Sequence, residues 1–480
     1  MSHRVRIATL AAGLVVLATP LPAAAHAIGG TFQLPVPLWL YLAGAGTAVA
    51  ASFVVATLAT RTAATGHSYR TRPLPAGLAG AARPLLRLLG LAWWYGAIVV
   101  GFVVGDISPL PAVLLWIFVW VGLPIVAVIA GNPWPSLSPF RTTFAALEWV
   151  ARRAGVDRLD MGLPYPSGLA RWPAVLLLAG GIWAELILPG GDVAVTVALL
   201  MLGYTLMTLA GMLLFGQIAW LRHAELFEVE LGWYGRIGPI VRRSRSADLC
   251  AACDEDCDPQ RCLDCPECST AAEDGERTAE LRPWVVALAD VGRPGWSDAV
   301  FIVLALAGVT YDGMRETSLG NVLFDVFYPP VSPILGASSA ATFLLVETLQ
   351  FATVFVVFLA AFVAIAAATH ALSDPRSRGT LGALAGRYAA TLLPIAGGYL
   401  IAHYLTLVLQ GVVWLPSLLA DPLMSLAPQL DAIPIDVPRI TKTAVNPPMN
   451  RSACGTIDVR ETTAVPPGPS ATDASPRKAR

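Results

Sequence analysis

The stretch PAVLLWIFVWVGLPIVAVIA, residues 111–130, indicates what kind of fold this chain adopts. It contains twenty residues and no charged side chain. A helix of this length rises about 30 Å, which matches the hydrocarbon core of a bilayer. Backbone amides find no water in hydrocarbon, so a helix is the conformation that satisfies them. The stretch therefore predicts a membrane-spanning helix.

The composition of the whole chain agrees with a place in a membrane. Of its 480 residues, 55% are hydrophobic and 14% are charged, and the mean hydropathy is +0.62. A soluble domain carries about a quarter charged residues, so much of this surface is expected to contact the lipid bilayer. The net charge of −1 gives no electrostatic basis for binding nucleic acid.

Seven further apolar stretches, of 15 to 30 residues, are predicted to span the membrane as well. Together they predict an all-α fold, a polytopic transmembrane helical bundle of about 8 spans after a cleavable signal peptide. The predicted spans are 36–59, 88–105, 111–130, 173–189, 193–215, 297–311, 339–368 and 389–412.

The N-terminal segment 1–25 has the pattern of a secretory signal peptide. Arg4 and Arg6 precede a short apolar run that ends in the alanines 23–25. Cleavage there would make His26 the first residue of the mature chain, outside the cytoplasm. The alternative is an uncleaved first helix. The predicted domains are the signal peptide, the bundle over 26–423 and a largely disordered Pro-, Thr- and Ala-rich tail over 424–480.

The distribution of arginine predicts the orientation of the bundle in the plasma membrane. Four loops between spans hold 22 arginines and no lysine, whereas the short connections on the other side hold only Arg315. Basic residues collect on the cytoplasmic side of membrane proteins, so these four loops are expected to be cytoplasmic. They are 60–87, 131–172, 216–296 and 369–388.

Two of the cytoplasmic loops contain amphipathic segments. Residues 140–156 place apolar side chains at helical spacing opposite arginines, and residues 218–238 mix aromatic and charged side chains. Such helices lie in the headgroup plane or pack under the bundle. Neither segment requires a special function.

The third of these loops carries a cysteine-rich part, 246–282, with the sequence CAACDEDCDPQRCLDCPEC at 250–268. Thiols stay reduced in the cytoplasm, which argues against disulfides. Two C-x2-C pairs can close a tetrahedral zinc site, and the acidic neighbours favour cation-bound thiolates. The alternatives are an iron–sulfur cluster and a metal-free exposed loop. The predicted metal ligands are Cys250, Cys253, Cys257, Cys262, Cys265 and Cys268.

Four ionisable residues in or beside the spans fall in the predicted outer half of the membrane. Such groups are costly in hydrocarbon and mark candidate functional sites. A divalent metal held by Glu347, His403 and the mature His26 would activate a bound water. Glu185 or Asp312 would then act as the general base. The candidate catalytic residues are Glu347, His403, Glu185 and Asp312.

The same residues permit two other interpretations. Glu347 and His403 would form a proton relay in a transporter. Alternatively, each polar side chain only hydrogen-bonds to a neighbouring helix, a contact worth about 1 kcal/mol. The sequence shows no clear internal repeat, which counts against a typical secondary transporter.

Three segments resemble a known family. They are AHAIGGTFQLPVPLWLYLAGAGTAVAASFVVA (25–56), VTYDGMRET (309–317) and AHYLTLVLQG (402–411). They are similar to segments of actinobacterial multi-span membrane proteins labelled fenitrothion hydrolase. The resemblance runs to about Leu423 and implies a hydrolase acting on a small-molecule phosphotriester. The polar tail and the cysteine insert depart from the family pattern.

The sequence therefore leaves three hypotheses for function. The first is a membrane-embedded hydrolase of phosphotriesters or similar esters that uses a metal-activated water. The second is a transporter or metal-handling protein that uses the same polar site. The third is a membrane scaffold whose zinc-binding loop binds a cytoplasmic partner.

Overall fold

The computed structural model describes residues 71–74, 76–244, 277–289, 291, 294–372 and 379–423. The predicted signal peptide, the span at 36–59, His26, the six cysteines of 250–268 and the tail at 424–480 lie outside these residues. The interpretations of those segments stay predictions.

Helices dominate the described chain. Twelve helices are numbered here in chain order, and three short 3₁₀ turns lie between them at Gly105–Ile107, Ser167–Leu169 and Val286–Ala289. The helices are α1 Ala76–Val104, α2 Leu110–Ile129, α3 Trp134–Leu137, α4 Pro139–Arg153, α5 Trp172–Leu186, α6 Ala194–Phe215, α7 Gln217–His223, α8 Leu226–Gly235, α9 Trp296–Arg315, α10 Ser318–Leu335, α11 Ala340–Leu372 and α12 Leu381–Ala420.

Six of the described helices are long and apolar enough to cross a membrane, namely α1 from Ala82 onward, α2, α6, α9, α11 and α12. Helix α5 is apolar but shorter. Seven of the eight predicted spans thus coincide with helices. Exposed large apolar side chains such as Val99, Leu199 and Val357 lie on these helices, as contact with lipid requires.

The structure differs from the sequence predictions in two elements of the bundle. Helix α10 lies within 312–338, which was predicted to be a plain connection. Helix α9 continues past the predicted end at 311, so Asp312 and Arg315 belong to a regular helix. Prolines at 329, 330 and 333 obscured α10 in the sequence because proline disfavours a helix interior.

A small antiparallel sheet accompanies the helices and was not predicted by the all-α assignment. Its strands are β1 Arg72–Pro73, β2 Ile240–Ser244 and β3 Arg277–Leu281, in the order β1-β3-β2. Ser244 pairs with Arg277. Because these two residues flank the cysteine-rich segment, the hairpin holds the two ends of that segment side by side.

Helix α2 contains a π-helical stretch, Val113–Gly122. Its end is marked by the amide of Leu123, which donates to the carbonyl of Phe118. A π-helical turn rotates the side chains that follow it and is common near functional sites. Here the stretch carries Trp120, which lines the central cavity described below.

The short helix α8 is buried on nearly all sides, with nine of its ten residues inaccessible. The segment 218–238 was expected in the headgroup plane or under the bundle. Instead α8 packs against α2, α5 and α12. Phe227 on α8 joins an aromatic core with Trp94, Trp134 and Phe140. Burial of this helix carries its glutamates into the protein interior.

The packing of α1 provides a test of the fold with an internal control. A Cβ atom on Gly90 would lie 1.8 Å from the carbonyl oxygen of Leu137, whereas nothing lies within 4 Å of the same position on Gly96. Overpacking against backbone costs about 1–3 kcal/mol. We expect Gly90→Ala to lower the free energy of unfolding in detergent by at least that amount.

The control Gly96→Ala is expected to be neutral, or to stabilise by up to about 1 kcal/mol through helix propensity. Equal effects of the two substitutions on the unfolding midpoint would contradict the contact between α1 and α3.

Candidate functional site

Glu225, a fully buried carboxylate, caps the N-terminus of helix α8. Its oxygens accept hydrogen bonds from the amides of Phe227 (3.2 Å) and Glu228 (2.6 Å). The indole of Trp134 donates to it at 2.9 Å, and the hydroxyl of Tyr204 donates as well. Backbone amides at a helix start favour a negative charge, which explains why a carboxylate occupies this position.

Glu228 forms a buried ion pair with Arg141 at the start of α4. The guanidinium donates two hydrogen bonds, Nη2 to Oε1 at 2.8 Å and Nε to Oε2 at 3.3 Å. At the other end of α8, the buried Arg282 donates to the carbonyls of Gly235 (2.7 Å) and Gly238 (3.0 Å). Charged groups thus hold both ends of α8 in place.

Glu230 points from α8 into a cavity of about 30 Å³ in the middle of the bundle. Its side chain is buried, and its Oε2 atom has no hydrogen-bond partner among the described residues. Glu185 of α5 and Tyr404 of α12 line the same cavity. Trp120 also lines the cavity and interacts electrostatically with Glu185. Two carboxylates from different helices therefore face one space that is large enough for about two waters.

Asp312 of α9 connects this cavity to a second polar group. Its Oδ2 accepts a hydrogen bond from the Tyr404 hydroxyl at 2.7 Å and lies 3.1 Å from His403 Nε2. Arg315 Nε lies 3.6 Å from Asp312 Oδ1, and Arg315 Nη1 donates to the carbonyl of Leu186 at 2.7 Å. These contacts join α5, α9 and α12 at one end of the bundle.

A glycine permits the close approach of α12 to α9 at this point. A Cβ atom on Gly313 would lie 2.8 Å from the Tyr399 hydroxyl and 3.4 Å from His403 Cε1. Because Gly313 has no Cβ atom, the rings of Tyr399 and His403 lie directly against the backbone of α9. The position of the imidazole beside Asp312 depends on this space.

Four carboxyl groups and one imidazole form a series of neighbouring groups in the bundle. We call this series the acidic core, and its members are Glu225, Glu230, Glu185, Asp312 and His403. Glu230 interacts electrostatically with Glu225, and Glu185 interacts with both Glu230 and Asp312. Asp312 contacts His403 directly. Each member thus has another as its neighbour, so a change of protonation at one is felt at the next.

Burial raises the pKa of two glutamates of the α8 segment, Glu225 and Glu230. Loss of hydration raises the pKa of Glu225 to about 7 and that of Glu230 to about 8, from 4.5. The folded protein therefore binds more protons than the unfolded chain between about pH 5 and pH 8. The stability that these two glutamates contribute is present in full below pH 4.5, and it is lost as the pH rises through 7 and 8.

We expect the apparent unfolding temperature to fall between pH 5 and pH 8. A difference of one pKa unit between the folded and the unfolded state corresponds to about 1.4 kcal/mol. Glu230→Gln removes the contribution of Glu230 to this pH dependence, so the unfolding temperature of the variant should fall less steeply. Asp325→Asn, an exposed position on α10, should retain the slope of the wild type. A profile that rises with pH would contradict the burial of these carboxyl groups.

The structure brings some of the site residues predicted from the sequence together and places others elsewhere. Glu185, Asp312 and His403 lie together in the acidic core. Glu347 lies on α11, and its backbone carbonyl accepts a hydrogen bond from Tyr311, the neighbour of Asp312, at 3.2 Å. No group of three His, Cys, Asp or Glu side chains within the described ranges is arranged to hold a metal ion. His26 lies outside those ranges.

Glu225, Glu228 and Glu230 were not among the site residues predicted from the sequence. The signal was present in ELFEVELGWYG (225–235), which holds three glutamates and no basic residue. A helix in the headgroup plane uses lysine or arginine on its polar face. An acidic, aromatic segment without such residues indicates burial against distant partners.

Comparisons of the chain with models of protein families, with curated proteins and with solved structures found no match. The resemblance to the proteins labelled fenitrothion hydrolase stays a prediction from the quoted segments. The chemistry open to this site follows from its own geometry.

Proposed function

We propose that this protein is a multi-pass membrane protein that carries a small cation across the bilayer through its acidic core. The observation that supports it best is the series of four carboxylates and one imidazole, contributed by the α8 segment, α5, α9 and α12. Ionisable groups inside a membrane bundle are costly, and they mark ion and proton pathways.

A purely structural role accounts poorly for this arrangement. Helices in membranes are held by small polar contacts worth about 1 kcal/mol, which need no charge. The Oε2 atom of Glu230 has no hydrogen-bond partner among the described residues, and such a buried group reduces stability. A transported cation gives Glu230 and Glu185 a reason to face one cavity.

Ion pairs near the two ends of the bundle are candidate gates of the cation path. At the predicted cytoplasmic end, Arg171 beside α5 pairs with Asp298 of α9, and its backbone amide donates to Ser297 at 3.2 Å. At the predicted outer end, Asp312 holds His403 and Arg315. In this proposal the bundle lies in the plasma membrane with the mature N-terminus outside and the cysteine-rich loop in the cytoplasm.

Purified protein in liposomes tests the proposal. With an imposed membrane potential and an internal pH dye or cation indicator, the wild type should show flux above empty liposomes. Glu185→Gln should remove that flux, and the exposed Asp325→Asn should leave it unchanged. Wild-type flux at the level of empty liposomes would refute transport.

A second candidate, ester hydrolysis, is favoured by the pairing of Asp312 with His403. A carboxylate on one ring nitrogen orients an imidazole as a general base. In this proposal the resemblance supplies a phosphotriester as the substrate class. A chromogenic phosphotriester should then be hydrolysed by the wild type and not by His403→Ala. Equal rates in both would exclude this base.

The cysteine-rich loop remains a proposed zinc site that serves as an accessory to the bundle. The β2–β3 hairpin holds its ends together, which suits a compact metal-bound loop. Elemental analysis of the purified protein should find zinc in stoichiometric amount, and deletion of 250–268 should remove it while cation flux persists. Iron in place of zinc would favour the cluster alternative. Loss of flux on deletion would favour a scaffold or regulatory role.

A further inference from the structure

The central cavity combines two features that together point to a specific ligand. Glu185 and Glu230 both line it, and none of the described residues that line it is basic. Oε2 of Glu230, on a side chain only 7% exposed, has no hydrogen-bond partner among the described residues. An unpaired carboxylate oxygen beside a water-sized space requires a water, a proton or a metal cation there.

Two carboxylates that share a buried site cannot both be ionised at low energetic cost. Their repulsion in a medium of low dielectric constant is relieved when one proton stays on the pair. The coupled groups then titrate as a unit, with properties that belong to the pair. One bound proton leaves a single negative charge at the cavity.

The lining of the cavity favours a proton over a metal cation. Besides the two carboxylates, the oxygen-bearing side chains at the wall are those of Tyr234 and Tyr404, and the other lining side chains are mainly apolar. Calcium takes six to eight oxygen ligands, and magnesium requires octahedral geometry with several waters. A space of about 30 Å³ holds roughly two waters, which is too little for such a shell.

We propose that Glu185 and Glu230 share one proton through water in the cavity, and that this proton is the ion carried by the acidic core. The role in transport rests on the proposed function, whereas the shared proton stands on the cavity itself. Protonated Glu230 passes its hydroxyl proton to the cavity water as that O–H bond breaks. The water passes a proton to the carboxylate of Glu185, where a new O–H bond forms.

The resting position of the proton depends on the hydrogen-bond partners and charges around each carboxylate. Glu185 is buried and faces first the negative charge of Asp312, and then the indole of Trp120 and the positive charge of Arg315. Glu230 faces the carboxylate of Glu225 and has neither of those two favourable partners. The proton resides mainly on Glu230, because its Oε2 atom has no hydrogen-bond donor among the described residues to stabilise a negative charge. The titratable groups around the pair are Glu225, Tyr234, Asp312, Arg315 and Tyr404, and His403 contacts Asp312.

Infrared difference spectroscopy of the full-length protein in lipid tests the shared proton directly. The C=O stretch of a protonated carboxyl group should be present at neutral pH and should disappear when the pH is raised. Glu230→Gln should remove this band. Glu185→Gln should retain it with a midpoint about one pH unit lower or more, because the like charge is gone.

Asp325→Asn is the matched control and should leave band and midpoint unchanged. A midpoint that Glu185→Gln does not move, or no protonated band at neutral pH in the wild type, would overturn the shared proton. Replacing choline with sodium should leave the midpoint in place, and a sodium-dependent shift would overturn it in favour of a metal cation. A band without flux in liposomes would refute transport alone, and flux without the band would refute the shared proton alone.

Discussion

Asp312→Asn is expected to reduce cation flux at least about a hundredfold, close to the loss expected for Glu185→Gln. Asparagine keeps the size of the side chain and still accepts a hydrogen bond from Tyr404. It removes the negative charge that lies between Glu185 and His403 and that faces Arg315. A proton or cation that leaves the central cavity then meets no carboxylate at the next position.

Flux in liposomes should be compared at equal protein content, with thermal unfolding as a control for folding. Glu316→Gln provides a neighbouring control, since that carboxylate also lies near Arg315 but its side chain is 75% exposed. We expect near wild-type flux from Glu316→Gln. Flux retained in Asp312→Asn would exclude Asp312 from the path.

Arg141→Met is expected to have the largest effect on stability, a loss of about 3–5 kcal/mol. Arg141 and Glu228 are both buried, and the guanidinium donates two hydrogen bonds to the carboxylate. Removal of one partner leaves an uncompensated charge in the core. The free energy of unfolding in detergent, followed by denaturant titration, measures this loss.

The double variant Arg141→Met with Glu228→Gln should recover most of the loss because no unpaired charge remains. The exposed pair of Arg152 and Glu148, 3.9 Å apart on α4, is the matched comparison. Arg152→Met should change stability by about 1 kcal/mol or less. Similar losses at Arg141 and Arg152 would show that α4 does not pack onto α8 through a buried pair.

The spanning helices could be predicted from the sequence because hydrocarbon imposes one local rule, an uninterrupted apolar stretch of sufficient length. Residues 110–129 satisfy that rule without reference to the rest of the chain. Helix α10 and strand β1 do not satisfy it. Three prolines interrupt α10, and β1 has two residues whose pairing partner lies some 200 positions away.

Part of the acidic core was also predictable. Glu185, Asp312 and His403 lie in or beside apolar stretches, where a charge is conspicuous. The partner of His403 was not predictable, because Glu347 and Asp312 were equally plausible by depth. The acidic segment 225–235 indicated that Glu230 is buried, but its partners could not be predicted, since they lie on helices that are distant in the sequence.

Charge movement on a solid-supported membrane is the most direct test of the claim that the acidic core carries an ion. A pH jump applied to wild-type protein in lipid should produce a transient current, and Asp325→Asn should produce the same current. The double variant Glu185→Gln with Glu230→Gln should produce none. A current of equal size in the double variant would contradict the claim.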